Sequence, residues 1–139
     1  RVRLETTRKT HLALQALRVL DTTDAPIKGK DLAVLIDTTP SFIAQIMKPL
    51  VDADWVTSDR GPTGGYRLAV ELAPISVLSL IEAVEGPTVD GKCVLQGTPC
   101  SDADQCPMHE AWVRGRAALL IELAKTPVLH ATTQERTAS

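Results

Sequence analysis

Between Leu32 and Leu68 the chain sets two short helical patterns, parted by three turn-forming residues, ahead of a hairpin whose turn is made of glycine and proline. Few folds accept that order in so short a span. Leu32, Leu35 and Ile36 stand at i, i+3 and i+4, which predicts one short helix. Asp37, Thr38 and Thr39 break it, and Thr39 suits an N-cap because its hydroxyl can accept from an unpaired N–H two or three residues on. Pro40 fits the first helical turn, where its missing donor is no loss. The next apolar stripe, Ile43, Ile46, Met47 and Leu50, leaves Ser41, Gln45 and Lys48 on the opposite face of a second helix. Pro49 lies inside that stripe and is expected to loosen its last turns. "WVTSDRGPTGGYRLA", residues 55 to 69, then predicts a strand from Trp55, a turn through Gly61, Pro62, Gly64 and Gly65, and a return strand from Tyr66 to Leu68. Helix, turn, helix and hairpin in that order describe a winged helix-turn-helix. An earlier helix over about 10 to 21 completes it, with Leu12, Ala13, Ala16, Leu17 and Leu20 on one face.

The rest of the chain is read from composition and spacing. Its 139 residues are 44% hydrophobic yet hold one Phe, one Tyr and two Trp, an aliphatic and helix-rich make-up for one small domain with an appended helix. No apolar run approaches the roughly 20 residues that span a bilayer, and no short apolar block follows a basic start, so a cytoplasmic protein without membrane partners is expected. The net charge of −2 conceals an asymmetry: ten Lys/Arg oppose eight Asp/Glu up to residue 70, and five oppose nine beyond it. The first part is net positive, as a nucleic-acid reader would be, although a solvated basic terminus accounts for Arg1, Arg3, Arg8 and Lys9 equally well. No Ser/His/Asp set, phosphate-binding glycine loop or HExxH motif is present, which argues against an enzyme.

All three cysteines fall in "CVLQGTPCSDADQCPMH", residues 93 to 109. Six residues separate Cys93 from Cys100, five separate Cys100 from Cys106, and His109 follows Cys106 after two. Three thiols cannot all pair within one chain, so a metal role is expected. The gaps are wider than the Cys-x-x-Cys of a zinc knuckle, yet residue types alone leave zinc and an iron–sulfur cluster level. After them Met108, Ala111, Trp112, Leu119, Leu120 and Leu123 line a helix from Met108 to Lys125 that one small domain cannot bury; a matching helix of a second copy would. Beyond Pro127 the chain turns polar, ending in "HATTQERTAS" with His130 a bystander.

"RLETTRKTHLALQAL", "TTPSFIAQIMKPLVDADWV", "SDRGPTGGYRLA" and "PISVLSLIEAVEG", followed by the cysteine segment, resemble in that order the Rrf-type winged-helix transcription regulators, which include iron–sulfur-assembly, nitric-oxide-sensing and iron-responsive members. The resemblance covers about Arg3 to Thr126. It implies a winged helix-turn-helix DNA-binding domain over 1–72, a connecting helix and loop over 73–92, a cluster-binding loop over 93–109, a dimerisation helix over 108–126 and a polar tail over 127–139. It further implies a homodimeric repressor on a pseudo-palindromic duplex DNA operator. Thr39, Ser41 and Gln45 would read bases, Arg60 would enter the minor groove, and Lys48 and Arg67 would meet phosphate. Ala44 stands where some relatives carry a discriminating Glu. The resemblance favours an iron–sulfur cluster over zinc, [2Fe–2S] ahead of [4Fe–4S], held by Cys93, Cys100, Cys106 and His109, with His11 of the partner subunit the alternative fourth ligand. Redox state, nitric oxide or iron supply would be the signal. A zinc-stabilised regulator and a winged helix that binds only protein are the rival readings. Asp54 and Trp55 depart from the family pattern, a difference expected to act on packing.

Overall fold

Three helices of the structure, a computed structural model that describes residues 7–86 and 107–129, begin on a side-chain hydroxyl. Thr7 caps α1 (Arg8–Leu20) by accepting from the Thr10 N–H, Thr39 caps α3 (Pro40–Asp52) through the Phe42 N–H, and Ser76 caps α4 (Val77–Glu85) through the Ser79 N–H. Each satisfies a donor that the first helical turn leaves without a partner, an effect of about 1 kcal/mol per helix. Between α1 and α3 lies the two-turn α2 (Gly29–Leu35). The hairpin is β1 (Val56–Asp59) paired antiparallel with β2 (Gly65–Leu68), and α5 (His109–Lys125) is the last helix of the described residues.

Both helices of the helix-turn-helix stop in the same way. After α2 the Thr38 N–H reaches the Ala33 carbonyl and the Asp37 N–H that of Val34, with Asp37 at φ 56°. After α3 the Trp55 N–H reaches Leu50 and the Asp54 N–H Val51, with Asp54 at φ 64°. These are paired closing bonds around a left-handed residue, a role glycine usually fills and aspartate tolerates. Pro49 does not end α3: the helix runs on to Asp52, and the Ala53 N–H bonds the Pro49 carbonyl at 3.0 Å.

The expected stripes of α1 and α3 form the core. Leu12, Ala13, Ala16, Leu17 and Leu20 are buried together with Ile43, Ile46, Met47 and Leu50, joined by Leu32, Val56, Leu72 and Leu80. One expectation fails. Leu35 is 60% exposed, and the buried arc of α2 with its C-cap is Leu32, Ala33 and Ile36. Each residue turns the helix by about 100°, so that arc centres between Leu32 and Ala33 and leaves Leu35 more than a quarter-turn from its centre.

Hairpin register, Val56↔Leu68 through Asp59↔Gly65, continues into the body of the domain. Ile27 bridges Tyr66 by two backbone bonds of 2.8 and 2.9 Å. Gly65, at φ 143°, allows that approach: a Cβ there would sit 2.7 Å from the Ile27 backbone. At Gly64 a Cβ would fall 2.2 Å from the Asp59 carbonyl oxygen. The two glycines thus set the close backbone contacts on which the hairpin's position depends.

α5 packs along α4 and buries no side chain completely. Trp112, Leu120 and Leu123 are half-buried, while Met108, Val113, Leu119 and Ile121 face outward. The chain after α5 returns to the core instead of turning straight into a polar tail at Pro127. Pro127 bridges Ser76, the Val128 N–H bonds the Ile75 carbonyl at 2.8 Å, and Val128 is wholly buried. A valine beside a strand-like partner buries apolar area that the polar residues after it could not, which explains the later onset of the polar stretch. The architecture is mainly α with a two-stranded wing and a long C-terminal helix.

Candidate nucleic-acid interface and cysteine segment

The outer face of α3 is a row of small and polar side chains. Ser41, Ala44, Gln45 and Lys48 are all exposed, spaced so that one groove-sized surface presents them together. Thr39 is exposed at the N-cap, where its Oγ1 already accepts from the Phe42 N–H at 3.2 Å. Its hydroxyl proton remains able to donate, so Thr39 can meet an acceptor on DNA while its acceptor capacity serves the helix. Gln45 keeps both amide functions on the open face, the pattern that pairs with adenine's N6 and N7.

Lys48 is less simple than a phosphate contact. Its Nζ lies 3.3 Å from the Asp52 carboxylate one turn on. Both side chains are well exposed, so the pair adds at most a few tenths of a kcal/mol to stability, yet it places a negative charge beside the lysine. The i, i+4 spacing of Lys48 and Asp52 is the sequence signal for this pair.

Arg60 is exposed directly after β1, at the start of the wing loop, which the Gly64 N–H closes by bonding the Gly61 carbonyl at 3.0 Å. Arg67 stands on β2 opposite Thr57 and lines an open cleft together with Asp21, Asp24 and Glu71. Three carboxylates around that cleft oppose phosphate, which sets Arg67 apart from Arg60.

Cys93, Cys100 and Cys106 lie outside the described residues, as does His130. His109 is the first residue of α5 and is half-buried. His11 is exposed on α1, one residue after the buried Thr10. The two histidines therefore belong to different helices, one opening α5 and one in the second turn of α1. Among the described residues no three His, Cys, Asp or Glu side chains gather as a metal-binding group, and no helix is long and apolar enough to cross a membrane.

A family model described as Rrf2, iron-dependent transcriptional regulator, matches residues 6–132. The HTH-type transcriptional regulator IscR of Vibrio vulnificus is 32% identical over 88 residues, 63% of this chain and 52% of that protein. The chain thus spans about half the length of the curated relatives it matches. Among solved structures, CymR, titled the global cysteine regulator of B. subtilis, superposes with a TM-score of 0.73 at 23% identity, covering 95% of this chain and 98% of the other. IscR of T. potens does so with a TM-score of 0.73 at 22% identity, covering 98% and 91%. At such identities the likeness of structure is one of fold.

Proposed function

This chain belongs to the Rrf2 family of transcriptional regulators, and from that premise we propose that it is a cytoplasmic, homodimeric, DNA-binding repressor whose operator affinity depends on an iron–sulfur cluster. The observation that supports the reading is one of placement. Every cysteine of the chain lies in the single stretch joining α4 to α5, between a helix-turn-helix with an open polar face and a long helix that buries no side chain.

Three thiols and an imidazole suit an iron–sulfur cluster by the chemistry of the donor set. Cys93, Cys100 and Cys106 with His109 would hold it, [2Fe–2S] ahead of [4Fe–4S] and of zinc. When bound, such a group supplies a centre that oxidants, nitric oxide or iron shortage can alter. His109 would be the ligand that ties the cysteine segment to a helix, since it is the first residue of α5. As a ligand it would anchor the first turn of α5, whose N-cap residue Met108 makes no side-chain hydrogen bond. α5 would pair with α5 of a second copy through the face that carries Val113 and Ile121, setting two recognition helices about 34 Å apart on a pseudo-palindrome. Ser41 and Gln45 would read base edges, Thr39 and Lys48 would add backbone contacts, and Arg60 would enter the minor groove. Arg67, beside three carboxylates, would contribute least.

Anaerobic purification followed by iron and sulfide counts and visible absorption tests the cofactor. The expected result is a coloured protein with iron and sulfide in equal amounts, losing its colour in Cys100→Ser. Colourless, zinc-loaded protein from the same preparation would overturn the cluster assignment.

A further inference from the structure

Thr10 is the only buried polar side chain among the described residues, 3% exposed at the third position of α1. A common way to finish such a helix start places a glutamate there, reaching back to the N–H of the capping residue. α1 lacks that glutamate, and its first turn holds no acidic residue at all, although Arg8 and Lys9 place two positive charges against the positive end of the helix. The missing carboxylate comes from elsewhere in the chain. Glu85, the last residue of α4, accepts through Oε2 from the Thr10 hydroxyl and from the Thr7 N–H at 3.4 Å. A capping box that is normally local is completed here across 78 residues.

The position of Glu85 gives this contact a second meaning. Gly86, at φ 92°, turns the chain out of α4, and the next described residue is Pro107; the stretch between them holds Cys93, Cys100 and Cys106. The other end of α4 is fastened to the chain leaving α5: the Val77 N–H bonds the Thr126 carbonyl at 2.8 Å, and Val128 bonds Ile75. α4 is therefore a short strut. One end is tied to the exit of α5, and the other, where the cysteine segment starts, is tied to the start of α1. Leu80 and Ile81 of α4 are buried and Val84 packs partly against the core, so that second end is held by Val84 together with the polar contact. α1 in turn packs its apolar stripe into the same core as Ile43, Ile46, Met47 and Leu50 of α3. Close-packed helices cannot shift independently, so a displacement at the N-terminus of α1 reaches α3.

We propose that the Glu85–Thr7–Thr10 clasp is the link through which the state of the cysteine segment is passed to the DNA-reading helix, with Glu85 and Thr10 as positioning residues. The proposal rests on the cluster-dependent reading above in its biological meaning, but the link can be tested without that reading. Hydrogen exchange of the α1 amides is measured in the full chain in three states: reconstituted with iron and sulfide, stripped of metal, and stripped with the three thiols alkylated by iodoacetamide. In the unaltered protein, exchange over Thr10 to Leu17 changes several-fold between states. In Glu85→Gln and in Thr10→Val it becomes independent of state, whereas Thr10→Ser, which keeps the hydroxyl, and Glu82→Gln, on the same helix outside the clasp, behave as the unaltered chain. State-dependent exchange that persists in Glu85→Gln and Thr10→Val overturns the proposal, as does an α1 insensitive to all three states in the unaltered protein. If no cluster forms, the proposed function fails, and the alkylated arm alone decides the clasp.

Discussion

The winged-helix part of this chain closes its core within one subunit, with α4 and Val128 supplying the last pieces, and α5 does not bury its own apolar side chains. From α1 to Leu72 the closing bonds, the stripes of α1 and α3 and the Ile27 bridge resolve within one subunit, and only the short α2 leaves Val34 and Leu35 outside the core. α5 is longer than any of the earlier helices, yet Leu119 remains 41% and Ile121 54% exposed on it. The difference separates two kinds of task. A surface that must meet DNA in one geometry is built on a self-sufficient core, while a helix that must answer to a partner keeps its apolar side chains outside that core.

Substitutions can break this contrast. The largest expected effect is Leu50→Ala, which opens a cavity in the shared core and should cost about 2–5 kcal/mol by urea denaturation, whatever the protein concentration. Val113→Ser with Ile121→Ser, on one exposed face of α5, should barely alter the unfolding of one subunit but should shift sedimentation towards monomer. Equal stability losses in both regions would erase the distinction.

Next in size is the wing. Gly64→Ala puts a methyl group against the Asp59 carbonyl, a backbone conflict of about 1–3 kcal/mol. It should weaken DNA binding through Arg60 as well as stability; unchanged values of both would show that the hairpin re-forms elsewhere. Gln45→Ala should leave stability intact and lose about 1–3 kcal/mol of discrimination at one base position per half-site, while Arg60→Ala lowers the salt slope by about 1. If neither changes binding, α3 and the wing do not read DNA here.

The smallest effect probes the turn of the helix-turn-helix. Asp37→Gly relieves a left-handed non-glycine residue and should raise stability by up to about 1 kcal/mol without altering sequence preference. A loss of stability would mean that the aspartate side chain holds the turn.

Much of the fold was legible before the structure because long stripes fix their own period. Leu12 to Leu20 and Ile43 to Leu50 each repeat often enough that a single orientation buries them. Leu35 was misplaced because two turns of α2 offer too few positions to locate an arc. Asp37 and Asp54 gave no signal of their closing role, since glycine is the usual mark of a left-handed cap. Val128 and the Glu85 contact depend on partners about fifty and nearly eighty residues away, separations that no local pattern reports. For the candidate site, residue types and spacings were legible in Cys93, Cys100, Cys106 and His109. How Arg67 stands beside Asp21, Asp24 and Glu71 was not, because residues on other elements decide it.

In the proposed regulator the cysteine segment and DNA binding are coupled. The most direct test of that coupling is an anaerobic fluorescence-anisotropy titration of one duplex, selected from a random pool, against the same protein preparation before and after chelation of its iron. The two affinities should differ by more than about tenfold, a coupling of roughly 1.4 kcal/mol, and Cys100→Ser should remove the difference. Equal affinities for iron-loaded and stripped protein, in a chain that binds the duplex well, would contradict the coupling.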